Sequence, residues 1–321
     1  MRAVLAERPG TPDVLRITTL PDPVPRAGEV RVAVEASAIT FVDTMLRAGN
    51  GFGRPVAFPA VLGNGVGGVV DAVGDGVDPA WLGTLVVTAT GGTGGYASAA
   101  LARAEDLHRV PVGLDLRDAT ALLADGRTAV GLHEAAAVRR GEVVVVSASA
   151  GGVGSLLVQL GAASGARVIA LAGSGAKLEL ARALGAAEAL NYREPDWLDR
   201  LDLAAPEGID VVFDGIGADL TAALATRVRG GGRYLQHGAA GGRWGELDAS
   251  ALAARGVETI PLSAIGSTPA ELHRLVERAL ELGARGDLRP VVGQTFPLDR
   301  AAEAHAAIEA RTTLGKTLLL P

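Results

Sequence analysis

The sequence predicts an α/β protein built from a mostly antiparallel β domain interrupted by a doubly wound parallel sheet. Three observations carry this. Short strands punctuated by Pro and Gly fill roughly the first hundred residues, strand and helix alternate regularly from about residue 119, and the tail returns to the first style.

In the first segment the strands fall at 3–7, 14–20, 29–37, 65–74, 84–90 and 96–102. One stretch, TFVDTMLRAG at 40–49, instead carries apolar residues at helical spacing and closes on Gly49. The second segment has strands at 142–147, 167–172, a short run ending at Asn191, 209–214, 232–237 and 257–262. Ala- and Leu-rich helical stretches separate them, and parallel neighbours need such crossovers. The tail reads as PVVGQTFPL, a helix from Asp299 and a strand at 316–321, which packs back onto the first domain. The expected domains are therefore 1–118 with 290–321, and 119–289 between them.

Composition excludes several classes. With 321 residues, 48% of them apolar, the chain can bury two cores. A net charge of −6 and no basic stripe speak against a nucleic-acid partner, because backbone phosphates are bound by clustered Lys and Arg. Cysteine is absent, which removes disulfides, thiolate zinc clusters and a cysteine nucleophile and fits a reducing cytoplasm. The start, MRAVLAERPG, reads as neither a signal peptide nor a membrane span. His108, His133, His237, His273 and His305 are scattered without ligand spacing, so no metal site is expected.

The chemistry centres on VVVVSASAGGVGSLLVQL, residues 143–160. A buried strand runs through Ser149-Ala150-Gly151-Gly152-Val153-Gly154 into a helix, a G-x-G-x-x-G turn with serine in the first place. Gly151 lets the main chain approach a diphosphate, Gly154 lets helix and strand pack closely, and the helix start offers free amides with about half a positive charge. A dinucleotide is the ligand that fits. NAD sites carry Asp or Glu about 20 residues further on, against the ribose hydroxyls. Gly173 and Ser174 stand there instead, followed by Lys177 and, after the third strand, Tyr192. A cation and a phenol can hold a 2′-phosphate, so NADPH is expected rather than NADH. As alternatives, Lys177 is an ordinary helix-surface charge and Tyr192 an ordinary loop anchor.

The chain resembles the medium-chain dehydrogenase/reductase superfamily, in its zinc-independent quinone oxidoreductase-like branch. The likeness runs through PDPVPRAGEVRVAVEASAITFVDTMLRAG, AVGDGVD, DGRTAVGLHEAAAVRRGEVVVVSASAGGVG, LGAAEALNYRE and AAEAHAAIEARTTLGKTLLLP, in that order. It implies a discontinuous GroES-like β domain with an inserted Rossmann domain, a homodimer, and reduction of a quinone or an α,β-unsaturated carbonyl compound by NADPH. By the same resemblance Thr128 lies beside the nicotinamide, Gly151, Gly152, Val153 and Gly154 hold the diphosphate, Ser174, Lys177 and Tyr192 hold the 2′-phosphate, and Gly238 passes near the nicotinamide. A helix-end hydroxyl is the alternative for Thr128. In zinc alcohol dehydrogenases a ligand cysteine falls at Thr40 and a His-Glu pair at Asn64-Gly65; both are missing here.

The resemblance also places Thr40 where the first domain faces the nicotinamide, which makes it the candidate donor to the substrate oxygen; a helix N-cap ahead of FVDTML is the alternative. Asp43 is read either as part of a proton relay or as a local hydrogen-bond partner. Phe41 and Phe52 are candidate walls of an apolar substrate pocket, or core aromatics. Two other functions remain open: an enoyl-thioester reductase, and a non-catalytic NADPH-responsive binding or regulatory protein. The apolar stretch VETIPLSAIG is the expected dimer edge.

Overall fold

The computed structural model describes residues 1–51 and 56–321; Phe52 lies outside the described residues. The chain divides into two compact units, 1–124 with 276–321 and 125–275. The expected boundaries at 118 and 290 differ from these because the division runs through two continuous helices, Leu116–Ala136 and Pro269–Ala284, and helical periodicity carries no break there.

The first part of the chain supplies β1 (Arg2–Ala6), β2 (Leu15–Thr19), β3 (Glu29–Ile39), β4 (Ala60–Val61), β5 (Gly65–Val73), β6 (Leu85–Ala89), β7 (Ala99–Arg103) and β8 (Leu107–Arg109), with helices α1 (Phe41–Ala48) and α2 (Leu116–Ala136). The middle supplies β9 (Val143–Ser147), β10 (Arg167–Ala172), β11 (Glu188–Asn191), β12 (Ile209–Asp214), β13 (Val228–Gln236) and β14 (Glu258–Thr259). Between and after them come α3 (Gly152–Ala163), α4 (Gly175–Ala183), α5 (Trp197–Ala204), α6 (Ala218–Ala225), α7 (Ala249–Ala254) and α8 (Pro269–Ala284). The tail adds β15 (Val292–Pro297), α9 (Ala301–Glu309) and β16 (Lys316–Leu320).

In the first unit, β2-β1-β4 form a small antiparallel sheet, and a larger sheet runs β15-β16-β3-β5-β6-β8 with β7 also on β3. The last strand, β16, pairs antiparallel with β3 through Thr317↔Ile39, Leu318↔Ala38 and Leu319↔Ser37. Alternate residues of β3 point inward, so Val30 and Val32 meet Val70 and Val86 in one apolar cluster. Each such buried valine contributes about 1.5–3 kcal/mol.

The second unit is a six-stranded sheet in the order β11-β10-β9-β12-β13-β14, and every pair in it is parallel. Both faces are covered, which is why β9 reads as an unbroken valine run; Val144, Val145 and Val146 are wholly buried. The order reverses between β9 and β12, and ligands of such sheets bind at the carboxyl ends beside that point.

Two strand expectations need correction. The fifth strand begins at Val228, not 232, with an irregular register between Ile209 and Val211 of its partner. The sixth, expected over 257–262, is only Glu258–Thr259, because Pro261 has no N–H to donate and the chain turns into a 3₁₀ segment at Leu262–Ala264. Among the described residues, no helix is long and apolar enough to cross a membrane.

Candidate active site

Sheet register alone brings the cofactor candidates to one edge of the second unit. Ser147 lies opposite Leu171, Ala172 opposite Asn191, and Asp214 opposite Gln236, so the segments starting at 148, 173, 192, 215 and 237 leave the sheet side by side. Gly151, Gly152, Val153, Gly154, Ser174, Tyr192 and Gly238 are all on these segments.

The glycine turn follows β9. Ala148 takes a left-handed φ of 50°, Gly151 caps α3 with extended backbone, and no side chain caps the helix start. The first amides of α3 are thus presented by main chain alone. A Cβ on Gly154 would run into the carbonyl oxygen of Ala148. A side chain on Gly152 would meet the Asp125 carboxylate, a close approach that no local pattern in the sequence announces.

Around Gly173 the fit to a phosphate is clearest. A Cβ there would lie 2.9 Å from Arg193 Nε and 3.0 Å from the Tyr192 hydroxyl. Arg193 is the residue that sequence reasoning missed; its signal was the charge beside Tyr192 in NYRE. Ser174 is the N-cap position of α4, yet its hydroxyl makes no capping bond. Lys177 stands in the first turn of α4, where its charge opposes the helix dipole at a cost of about 0.3–1 kcal/mol that a bound anion offsets.

Beside the reversal point, Asp214 is fully buried and accepts hydrogen bonds from Ser147 Oγ (2.8 Å), Thr221 Oγ1 (2.6 Å), the Tyr234 hydroxyl (2.9 Å) and the amides of Ile216 and Gly217 (both 3.0 Å). This carboxylate ties β9, β12, α6 and β13 together. A Cβ on Gly215 would lie 2.8 Å from the ring of His237, whose buried Nε2 has no hydrogen-bond partner among the described residues and whose pKa burial pushes down to about 4. Gly238 follows, and a Cβ there would lie 2.7 Å from the carbonyl oxygen of Gly215. Thr128 is in the middle of α2 rather than at its start, three residues after Asp125 and so on the same helix face.

In the first unit, Thr40 and Asp43 form a capping box on α1. Thr40 N–H and Thr40 O–H each donate to Asp43 Oδ2 at 2.7 Å, and Asp43 N–H donates to Thr40 Oγ1 at 3.3 Å. The hydroxyl proton offered to a substrate by the sequence reading is therefore committed to Asp43. Asp43 is 2% exposed, and burial raises its pKa against the opposing bonds from Thr40. Phe41 and Val42, beside Thr40, are exposed rather than core residues. Asn64 Oδ1 accepts the Gly92 amide at 2.6 Å, and neither it nor Gly65 offers an imidazole or carboxylate.

Near Asp43 the buried Tyr96 hydroxyl lies 3.0 Å from His305 Nε2. Burial first, then the nearby Arg47 charge, pushes His305 down to about 3. Its unfolded value is about 6.5, so between these limits the unfolded chain binds a proton that the folded chain refuses. Stability is then full above about pH 6.5 and falls as pH drops, by about 1.4 kcal/mol per unit from this residue. Urea unfolding at a series of pH values should show that slope, and His305→Gln should remove its share.

A family model described as zinc-binding dehydrogenase matches residues 184–319, and one described as alcohol dehydrogenase GroES-like domain matches residues 26–112. The chain is 33% identical over 317 residues to a quinone oxidoreductase of Pseudomonas aeruginosa, with 97% of each covered. It is 33% identical over 315 residues to a 2-haloacrylate reductase of a Burkholderia species, with 92% of each covered. The quinone oxidoreductase of Escherichia coli solved in complex with NADPH superimposes with a TM-score of 0.91 at 28% identity, covering 100% of both chains. With this fold, this glycine turn and these relatives, the chain belongs to the medium-chain dehydrogenase/reductase superfamily, in its quinone oxidoreductase-like branch.

Proposed function

We propose that the protein is an NADPH-dependent, metal-independent oxidoreductase that reduces a quinone or an α,β-unsaturated carbonyl compound. The observation that supports it most is the convergence of Tyr192 and Arg193 on Gly173, beside Ser174 and Lys177, with no carboxylate where an NAD site would place one. The relative named a 2-haloacrylate reductase favours conjugated acceptors, since its substrate name describes an activated double bond.

Bound NADPH supplies the hydride. The chain's own part is to hold and orient: the amides at the start of α3 take the diphosphate, while Lys177, Tyr192, Arg193 and Ser174 take the 2′-phosphate. Thr128 and Gly238 are assigned to the nicotinamide end. Thr40 is assigned to the substrate oxygen, with Phe41 beside it as apolar wall. No thiolate, imidazole or carboxylate stands at Thr40, Asn64 or Gly65 to hold a zinc ion, so carbonyl polarisation falls to hydrogen bonds, which suits conjugated acceptors better than unactivated alcohols.

A homodimer through the β14 edge belongs to the same reading, since among the described residues β14 pairs with β13 alone. The test is oxidation of NADPH by the purified protein with a panel of quinones, enals and enoyl thioesters. Turnover with quinones or enals supports the proposal. Turnover with thioesters alone favours the biosynthetic reductase, and NADPH binding without oxidation across the panel favours a regulatory protein.

A further inference from the structure

We propose that His108, His273 and Glu277 form a binding site for a divalent cation of the zinc class, held by two imidazoles and one carboxylate with a position left for water. The cluster shares no residue with those assigned to cofactor or substrate, so it adds to the metal-independent reduction without entering it.

Geometry brings the three side chains together. His108 is buried on β8, and its Nδ1 lies 2.5 Å from Glu277 Oε1 on α8. The helical repeat of α8, rather than any packing between the two units, puts His273 one turn before Glu277 on the same face. One ligand atom from each of the three lies within 4.8 Å of the other two. Donor atoms around a tetrahedral zinc ion stand about 3.3 Å apart, with bonds of about 2.0–2.2 Å. Small rotations of exposed His273 and half-buried Glu277 therefore close the set on His108, which burial anchors.

The donor chemistry selects the ion. Two imidazoles with one carboxylate suit zinc, cobalt, nickel or copper, whereas magnesium and calcium take oxygen ligands. In the present arrangement the 2.5 Å contact is a hydrogen bond, and its proton occupies the place of the cation. Coordination sends that proton to His108 Nε2 or to water, and the two ligand atoms move apart to the wider spacing of a metal site. Three protein ligands and an exposed side leave the fourth position to water, so the ion exchanges instead of being sealed in as at a four-ligand structural site.

Neighbouring cations are held elsewhere. Arg274 pairs with Glu134 at 2.7 Å and Arg278 with Glu281 at 3.4 Å, while Arg109, next along β8, lies over the ring of Trp81. Histidine spacing alone hid the site, because HRLVE at 273–277 pairs a histidine with a glutamate at i,i+4 and the third ligand comes from a distant strand.

The full chain, stripped with EDTA and desalted, tests this. Cobalt(II) should give the visible absorption of a four- or five-coordinate site at one equivalent, with no thiolate bands because the chain has no cysteine. Zinc should bleach that absorption and raise the thermal midpoint by binding the folded chain, and magnesium should do neither. His273→Gln and Glu277→Gln should each weaken both metals by about 100-fold or more, while His133→Gln should bind as the parent does. The exposed position of His273 keeps its variant folded, which an unchanged metal-free midpoint checks; if Glu277→Gln folds less well, His273→Gln decides alone. No cobalt band at millimolar metal, a band that His273→Gln leaves unchanged, or one that His133→Gln removes overturns the site. Each outcome is read from metal binding, so the reductase reading stands or falls separately.

Discussion

Replacing Lys177 with alanine should raise the dissociation constant for NADPH by about 10- to 100-fold and leave that for NADH nearly unchanged. A charge-assisted hydrogen bond to a phosphate is worth about 1.5–3 kcal/mol, and only NADPH carries the 2′-phosphate. The same side chain sits in the first turn of α4, where its charge opposes the helix dipole. Calorimetric titration with both nucleotides checks this, and equal losses would remove the phosphate assignment. Arg193→Ala should follow the same pattern with a smaller change, because that side chain is exposed.

Gly154→Ala should cost about 3 kcal/mol of stability and weaken NADPH and NADH together. The new Cβ would meet the Ala148 carbonyl oxygen and, at 3.0 Å, the Ser149 Cα, and these are backbone atoms that cannot swing aside. The strand-to-helix turn would have to open, displacing the amides that both nucleotides share. Gly175→Ala is the contrasting change: nothing lies within 4 Å of its Cβ, so it should be neutral or stabilise by about 0.4–1 kcal/mol. Thermal unfolding of the two variants without cofactor separates the effects, and similar midpoints would count against the packing role of Gly154.

Much of the second unit was legible because its signals are local. A valine run buried on two faces, a glycine turn and helical periodicity each declare themselves within a dozen residues, and they gave β9 to within one residue, while α3 starts at Gly152, inside the glycine turn rather than after it. The sixth strand was overread because VETIPL is apolar enough for a strand, while the proline that ends it acts through a missing donor. Helix α1 was placed closely, since Thr40 and Gly49 are both strong end signals. What local pattern could not supply were contacts between distant segments. Tyr96 and His305 are 209 positions apart, Ser147 and Asp214 are 67 apart, and Asp125 meets Gly152 across two elements. Arg193 was visible as a charge, but only the parallel register of β10 and β11 brings it to Gly173. The Thr40–Asp43 box could have been read from its T-x-x-D spacing, but the donation of the Thr40 hydroxyl to the carboxylate is an added contact that the box does not require.

The central claim is that main-chain amides at the start of α3 hold the diphosphate of NADPH. A crystal structure of the protein soaked with NADPH tests it most directly. The account predicts diphosphate oxygens within hydrogen-bond distance of the Gly152 and Val153 amides, with the 2′-phosphate among Ser174, Lys177, Tyr192 and Arg193. Nucleotide bound elsewhere, or absent from that turn at saturating concentration, would contradict it.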